Sequence, residues 1–136
     1  MKIVLDVNII LSALIRDSIT RKMIIDSKLN LYFPEPSLHK IRKYKDYIQG
    51  KSNLSDEEFI NVLTYLFTFI QLIPSEEIEK NWSKAKEIME HIDQEDVVFV
   101  AAALGLEDSV IWSDDKDFDK QDKLKVLKTE DMVRLM

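Results

Sequence analysis

The sequence of 136 residues contains no cysteine, two glycines, three prolines and two histidines. The lack of cysteine excludes a disulfide framework, a zinc–thiolate site and a thiol nucleophile, and it suits a reducing compartment. With only two glycines, the chain has no glycine-rich loop of the kind that cradles phosphates. The longest apolar run, VVFVAAALGL at 97–106, is too short to span a bilayer, and the start of the chain lacks a signal-peptide pattern. We therefore expect a soluble protein of the cytoplasm.

The chain also lacks an excess of positive charge, since its formal net charge is −6. This balance argues against broad nonspecific adhesion to nucleic acid, but a metal site would itself carry part of the negative charge, so the substrate class stays open. No repeat, low-complexity tract or linker divides the sequence. Its length and its 46% hydrophobic content predict one domain, residues 1–136, with a sizeable core.

Short apolar segments alternate with helix-patterned segments along the chain. The predicted strands are 2–5, 30–33, 71–73, 109–112 and 125–127. The predicted helices are 8–15, 20–27, 37–50, 55–70, 74–92 and 96–104, with a terminal helical turn or two from 129. Ser55 and Glu58 form a capping box at the start of one helix, and Gly50 is expected to end the helix before it. This alternation predicts an α/β fold with a parallel sheet covered on both faces.

Three acidic motifs lie where a predicted strand ends or a predicted helix begins. They are Asp6 and Asn8 in LDVNII, Asp93 and Asp96 in DQEDVVFVAAAL, and Asp115 and Asp117 in IWSDDKDF. An α/β fold presents side chains at these places to a common crevice. Carboxylates gathered there repel one another unless a cation neutralises them, and hard oxygen ligands favour Mg²⁺ or Mn²⁺. The motifs therefore predict a metal-dependent reaction on phosphate.

In this order, the D-x-N, D-x-x-D and W-S-x-D-x-D-F motifs resemble those of the PIN domain family, the nuclease fold of VapC-type toxins. The segment FPEPSLHKIRKYKDYI at 33–48 is similar to the archaeal-type branch of that family. The resemblance covers essentially the whole chain. It implies a single-domain α/β/α sandwich around a Rossmann-like parallel sheet, and a Mg²⁺- or Mn²⁺-dependent endoribonuclease that acts on single-stranded RNA. It also implies a homodimer, with the helix from Phe59 to Ile70 as one surface, and a small antitoxin protein as partner.

The resemblance implies roles for five aspartates. Asp6, Asp96 and Asp115 would be the catalytic residues, which hold a divalent ion that activates a water for in-line attack on phosphorus. Asp93 and Asp117 would be further metal ligands, for a second ion. Helix capping is the alternative role for one member of the Asp93 and Asp96 pair.

Other residues would support this site. Asn8 is expected to orient Asp6 or a water, and Ser113 to hydrogen-bond either the scissile phosphate or the backbone of its loop. Arg42, Lys43 and Tyr44 are candidate RNA contacts, because cations follow a phosphate backbone and an aromatic ring stacks on an unpaired base. A solvated helix face is the alternative for these three. Further basic residues of this kind are Arg16, Arg21, Lys22, Lys45 and Lys51.

One position departs from the family's pattern. Where the helix after the second strand normally supplies a glutamate, this sequence has Lys40 before Ile41. An alignment shifted by one residue would put His39 there instead, so neither alignment restores a carboxylate. A lysine can replace the charge of a metal ion but not its Lewis acidity. Two interpretations are therefore open. Either the remaining acids support an active nuclease, or Lys40 neutralises Asp6 or Asp96 and the chain is a catalytically impaired PIN domain that acts as an RNA- or protein-binding module.

Overall fold

A parallel sheet forms the centre of the protein in the computed structural model, which describes residues 1–15, 18–26 and 28–135. The strands found in these residues are β1 (Lys2–Leu5), β2 (Asn30–Pro34), β3 (Ile70–Ile73), β4 (Ser109–Trp112) and β5 (Val126–Leu127). Their order is β3-β2-β1-β4-β5, and every pairing in the sheet is parallel. The predicted α/β class and parallel sheet are confirmed.

Helices flank this sheet. Those of the described ranges are α1 (Val7–Ile15), α2 (Ile19–Asp26), α3 (Leu38–Lys43), α4 (Lys45–Ser52), α5 (Asp56–Phe67), α6 (Ser75–Glu79), α7 (Trp82–Met89), α8 (Val97–Leu104) and α9 (Thr129–Leu135). Short 3₁₀ turns occupy Glu35–Ser37, Gln94–Asp96 and Lys116–Lys120. No helix in the described ranges is long and apolar enough to cross a membrane. The predicted end of the second helix, Ser27, lies outside the described residues.

Continuous apolar runs explain why β1 and α8 lie at the core. Ile3, Val4 and Leu5 are fully buried, as expected for a parallel strand covered on both faces. Helix α8 packs against β1, β2 and β4, and its residues Val97–Ala103 are all buried. Its three consecutive alanines add little bulk, so this helix can approach the sheet closely. The start of α8 is thereby fixed beside the central strands.

The capping box at the start of α5 forms as predicted. Ser55 Oγ accepts a hydrogen bond from the Glu58 backbone N–H at 3.1 Å, and the Ser55 N–H donates to Glu58 Oε1 at 3.0 Å. Phe59 and Leu66 are buried on this helix. The helix was predicted to extend to Ile70, but α5 ends at Phe67 and Ile70 is the first residue of β3.

The helix predicted at 37–50 is wrong in its continuity and its end. It is divided into α3 and α4 at Tyr44, whose φ of −96° and ψ of 11° are not helical. Gly50 lies inside α4, where a Cβ would meet nothing within 4 Å. The helix ends instead at Asn53, which adopts a left-handed φ of 60°. Asparagine tolerates this conformation better than most residues, so it serves as the terminator here.

The helix predicted at 74–92 is also divided. Helix α6 ends at Glu79 and α7 begins at Trp82, with Asn81 between them at φ −115° and ψ 10°. The Asn81 N–H donates to Ile78 O at 3.1 Å, which closes the first helix with a tight turn. Helix α7, which follows the break, packs against α8.

The strand order places a switch point between β1 and β4. From β1 the chain proceeds to β2 and β3 on one side, and it later returns to β4 and β5 on the other. Leu5 and Trp112, the last residues of the two central strands, are register partners. Crevices at such a point, beyond the carboxyl ends of the strands, are where open α/β sheets bind ligands.

Candidate metal centre

Asp6 and Ser113 follow the two central strands and lie side by side at the switch point. The Asp6 N–H donates to Trp112 O at 3.1 Å, and the Ser113 N–H donates to Leu127 O at 3.1 Å, so both positions continue the sheet. Ser113 Oγ donates to Asp6 Oδ2 at 2.7 Å, and both side chains are buried. The hydroxyl of Ser113 therefore fixes the carboxylate of Asp6.

Of the two roles expected for Ser113, the structure shows the contact with the loop backbone. Ser113 Oγ accepts a hydrogen bond from the Asp115 N–H at 3.0 Å while it donates to Asp6. Because the residue is 0% exposed, its hydroxyl is not open to a phosphate. Ser113 thus orients the carboxylate of Asp6 and fixes the backbone of Asp115.

The D-x-x-D motif forms a 3₁₀ turn that leads into α8. Asp93 Oδ1 accepts a hydrogen bond from the Glu95 N–H at 2.9 Å, which makes Asp93 the cap of the turn. Asp96 ends the turn and is only 6% exposed. Its Oδ2 is buried and has no hydrogen-bond partner among the residues that the structure describes. A buried carboxylate oxygen without a partner is costly unless a cation approaches it.

The third motif has a similar turn. Asp115 Oδ1 accepts a hydrogen bond from the Asp117 N–H at 2.9 Å, at the start of the 3₁₀ turn Lys116–Lys120. Asp117 Oδ1 also pairs with Lys120 Nζ at 3.0 Å, on a partly exposed surface. These contacts orient the two carboxylates and place Asp117 nearer to solvent than Asp96.

Four carboxylates converge at this place. Asp93, Asp96, Asp115 and Asp117 each offer one oxygen, and the four oxygens lie within 4.8 Å of one another. Ligand oxygens lie about 2.0 to 2.6 Å from Mg²⁺ or Ca²⁺, so two oxygens on opposite sides of one ion are about 4 to 5 Å apart. The spacing, the oxygen donors and the unpartnered Asp96 Oδ2 all fit a divalent ion. Asp6 lines the same crevice but lies outside this group of four.

Burial and the clustered negative charges raise the pKa of Asp96 to about 8. Burial contributes most to this shift, and the negative charges of Asp6, Asp93, Asp115 and Asp117 add to it. Both effects disfavour the ionised form in the absence of a cation. A bound divalent ion would reverse this preference, because it supplies the positive charge that the crevice lacks.

Burial also raises the pKa of Asp6. The hydrogen bond from Ser113 and the backbone N–H groups of Val7 and Asn8 oppose this shift, and the charge of Asp115 adds to it. The Asn8 side chain is exposed and lines the crevice, and its role in orienting Asp6 or a water stays a prediction.

Lys40 lies at the edge of the crevice, but not among the acids. Its Nζ donates to the backbone oxygen of Glu95 at 3.2 Å and lies 5.3 Å from the centroid of the Phe99 ring. Within the described ranges, no carboxylate is within the 4.0 Å ion-pair distance of this ammonium. The expectation that Lys40 neutralises Asp6 or Asp96 is therefore wrong. Its charge is directed to a carbonyl on the turn that carries Asp93 and Asp96.

The candidate RNA contacts of α3 divide between two faces. Lys43 and Tyr44 line the crevice, whereas Arg42 lines a separate groove beside α5 and β3. Arg42 and Lys43 point about 100° apart on α3, so they can line different surfaces. His39, which was expected at the surface or as a cap, also lines the crevice. The spacing of four between His39 and Lys43 would have placed them on one face.

Arg21, on α2, contacts the end of α1. Arg21 Nε donates to Ala13 O at 2.6 Å and its Nη2 donates to Leu14 O at 3.2 Å, so this side chain binds the end of α1. Cations are favourable at the carboxyl end of a helix, and the contact is structural. Arg16 lies outside the described residues.

The fold and the site define an α/β protein with an acidic crevice at the switch point of a parallel sheet, and four of its carboxylates could hold a metal ion. Comparison with protein-family models identifies the particular family, since the model of the PIN domain matches residues 4–134. The chain belongs to the PIN domain family, as its motifs predicted. No curated protein matches the chain. Family membership and the acidic cluster support a nuclease that uses divalent metal, and the VapC-type and archaeal-type assignments stay predictions.

Proposed function

We propose that this protein is a Mg²⁺- or Mn²⁺-dependent endoribonuclease that hydrolyses single-stranded RNA in its acidic crevice. One observation carries the proposal. Four carboxylate oxygens lie within 4.8 Å of one another in a PIN domain, and the most buried of these residues, Asp96, has an oxygen without a hydrogen-bond partner in the described chain. The repulsion among clustered carboxylates is tolerated where they bind a cation.

Asp96 and Asp115 would hold the ion, with Asp93 and Asp117 as further ligands. The ion would supply positive charge and Lewis acidity to a phosphodiester in the crevice. Asp93 and Asp115 each use Oδ1 to accept a backbone N–H, which fixes their orientation. Asp6 keeps Oδ2 on Ser113, and its other oxygen is suited to orient a water or accept its proton.

The edge of the crevice is suited to an RNA backbone. Lys40 and Lys43 on α3 line the crevice, and Tyr44 lies beside them with 39% of its surface exposed. Phosphates attract the lysines, and the bound ion would offset the repulsion between RNA and the carboxylates. Lys40 in this role is a substrate contact, so its presence is compatible with catalysis.

The finer proposal is that the protein is a cytoplasmic VapC-type toxin, paired as a homodimer and neutralised by a small antitoxin. The ordered motifs and the cysteine-free sequence support it. Exposed apolar side chains on α5 and β3, Ile60 at 56% and Leu72 at 41%, offer a surface for a second copy. Light scattering at high concentration tests the dimer, because a strict monomer would contradict it.

The alternative function, an impaired PIN domain that binds RNA or protein, is favoured by one observation. Helix α3 brings Lys40 and no carboxylate to the crevice. This module would still bind RNA through its lysines, but it would not cleave it.

Cleavage of a fluorogenic single-stranded RNA separates the two functions. We expect the wild-type protein to cleave it in Mn²⁺ or Mg²⁺ and not in EDTA, and Asp115→Asn to lose at least about two orders of magnitude in rate. Asp108→Asn is the matched control, because Asp108 is an exposed acid before β4, at the opposite end of the strand from the crevice. Its φ of 51° also suits asparagine. RNA binding without cleavage would support the impaired module.

A further inference from the structure

A second concavity adjoins the acidic crevice. It is a cavity of about 570 Å³ between α3, α6, α7 and the turn that precedes α8. This volume is in the range of small-molecule sites in proteins. The residues that define it are His39 and Lys40 on α3, Ile78 and Trp82 on α6 and α7, and Gln94 and Val98 around the turn.

The cavity and the crevice share one wall. His39, Lys40 and Glu95 line both. The hydrogen bond from Lys40 Nζ to Glu95 O, 3.2 Å long, spans this wall from α3 to the turn. On one side of the turn are the carboxylates of Asp93 and Asp96, and on the other is the cavity. A chain molecule that crosses the crevice therefore passes directly beside the cavity.

The surfaces of the cavity suit a flat aromatic group. Ile78 and Val98 are nearly buried and form an apolar floor. Trp82, at the start of α7, keeps 41% of its surface exposed, although an indole of this size is usually well buried. The His39 ring is held by a 2.7 Å hydrogen bond between Nδ1 and Pro36 O. These features provide an apolar slot with one aromatic face and one fixed ring.

We propose that this cavity binds one unpaired nucleobase of the RNA strand whose phosphate lies in the crevice. The inference rests on the proposed function, and it adds a base subsite to it. The base would stack on Trp82, Lys40 would contact the adjoining phosphate, and the exposed Gln94 amide lies within the lining to meet a base edge. Stacking of this kind is tolerant of sequence, because every base has a π face.

The cavity is continuous with the crevice, and this favours a nucleotide as its occupant. An apolar peptide would fill the cavity without any use for an ammonium at its edge, whereas a nucleotide needs both an aromatic face and a cation beside it. Lys40 is placed between the cavity and the crevice, so it can serve a phosphate that joins the two.

Tryptophan fluorescence gives a direct measurement. The chain has two tryptophans, and Trp112 is fully buried with its Nε1 donating to Thr129 Oγ1, so quenching by a short oligouridylate reports on Trp82. The titration is done in Ca²⁺, with electrophoresis to show that the RNA stays intact. Affinity is measured in parallel by anisotropy of a labelled RNA, for wild type, Trp82→Leu and the conservative Trp82→Phe.

We expect the RNA to quench the fluorescence of the wild type. Trp82→Leu should bind the RNA about tenfold more weakly than the wild type, whereas Trp82→Phe should keep most of the wild-type affinity. RNAs with a single abasic position complete the test. At one position the missing base should weaken binding to the wild type about tenfold and leave binding to Trp82→Leu unchanged.

Tight RNA binding without quenching, or abasic effects that are equal in wild type and Trp82→Leu, would overturn the subsite and leave the nuclease proposal standing. Absence of any RNA binding would also overturn it. The protein could instead show quenching and an abasic effect that depends on Trp82, and yet fail to cleave RNA in Mn²⁺. That result would support the subsite and contradict the proposed catalysis.

Discussion

Asp96→Asn is expected to make the metal-free protein more stable and, at the same time, to abolish its response to divalent ions. The carboxylate of Asp96 is 6% exposed, and one of its oxygens has no hydrogen-bond partner in the described chain. Asparagine has nearly the same shape but carries no charge, and its amide can donate to the neighbouring carboxylates. The substitution thus removes the repulsion and the metal ligand together.

The size of the effect depends on pH. The pKa of Asp96 is raised from an ordinary value of 3.8 to about 8. Between these values the folded chain holds a proton that the unfolded chain has released. The free energy of unfolding of the metal-free protein should therefore fall as pH rises through this window, and level off above about pH 8. Asp96→Asn should flatten this decline.

The magnitude can be bounded. At about 1.4 kcal/mol per pKa unit, the full shift corresponds to an upper limit of about 6 kcal/mol. Entry of water and solution cations into the crevice reduces this figure. In EDTA at alkaline pH, we therefore expect the free energy of unfolding of Asp96→Asn to exceed that of the wild type by about 2 kcal/mol. In Mn²⁺ at a hundred times its dissociation constant, the free energy of unfolding of the wild type should rise by about 2.7 kcal/mol over its value in EDTA, and that of the variant should change little.

Urea denaturation followed by circular dichroism measures both effects, in EDTA and in Mn²⁺, at pH values from about 5 to 9. Asp108→Asn serves as the control for loss of an exposed carboxylate outside the crevice, and it should follow the wild type. The reasoning is refuted if Asp96→Asn is less stable than the wild type in EDTA at alkaline pH and keeps the Mn²⁺ response.

Three further substitutions test separate parts of the structure. Ser113→Ala removes the donor to Asp6 and the acceptor for the Asp115 N–H, so it should cost about 1 to 3 kcal/mol in urea unfolding and slow RNA cleavage; unchanged stability would contradict the shared role. Lys40→Glu should raise Mn²⁺ affinity in calorimetry, because it adds an oxygen ligand at the crevice, while it weakens RNA binding; weaker Mn²⁺ binding would be the opposite result. Ser55→Ala should lower stability by about 1 kcal/mol through loss of the α5 cap, with no effect on cleavage, and a large catalytic loss would show that α5 matters to the site.

Much of the fold could be predicted from the sequence because its strands are short apolar runs with polar ends. The runs at Ile3–Leu5 and Ser109–Trp112 are too continuous for surface strands, which indicated a covered parallel sheet. The acids that follow them had to lie at the same edge of that sheet. The structure brings four predicted aspartates together and places Asp6 beside them.

The helix breaks at Tyr44 and Asn81 could not be predicted in the same way. Neither break contains glycine or proline, and the local sequence keeps a helical pattern across both. Packing decides these positions, because α4 contacts α1 and α7 contacts α8. Tertiary contacts of this kind override the weak preferences of single residues.

Two features of the site depend on contacts distant in sequence. Ser113 and Asp6 are 107 positions apart, and their hydrogen bond follows only from the adjacency of β4 and β1. Lys40 donates its hydrogen bond to the backbone carbonyl of Glu95. Every residue has such a carbonyl, so the sequence does not indicate which one accepts the bond. The departure from the family's pattern was visible in the sequence, but its geometric consequence was not.

The most direct test of the acidic crevice as a metal-dependent nuclease site is the rate of RNA cleavage as a function of free Mn²⁺ concentration. We predict no cleavage in EDTA and a rate that rises and saturates over the same Mn²⁺ range that stabilises the wild type in urea. Asp115→Asn, purified in parallel, should stay at the background rate throughout. Cleavage that persists in EDTA, or that is equal in Asp115→Asn and wild type, would contradict the account.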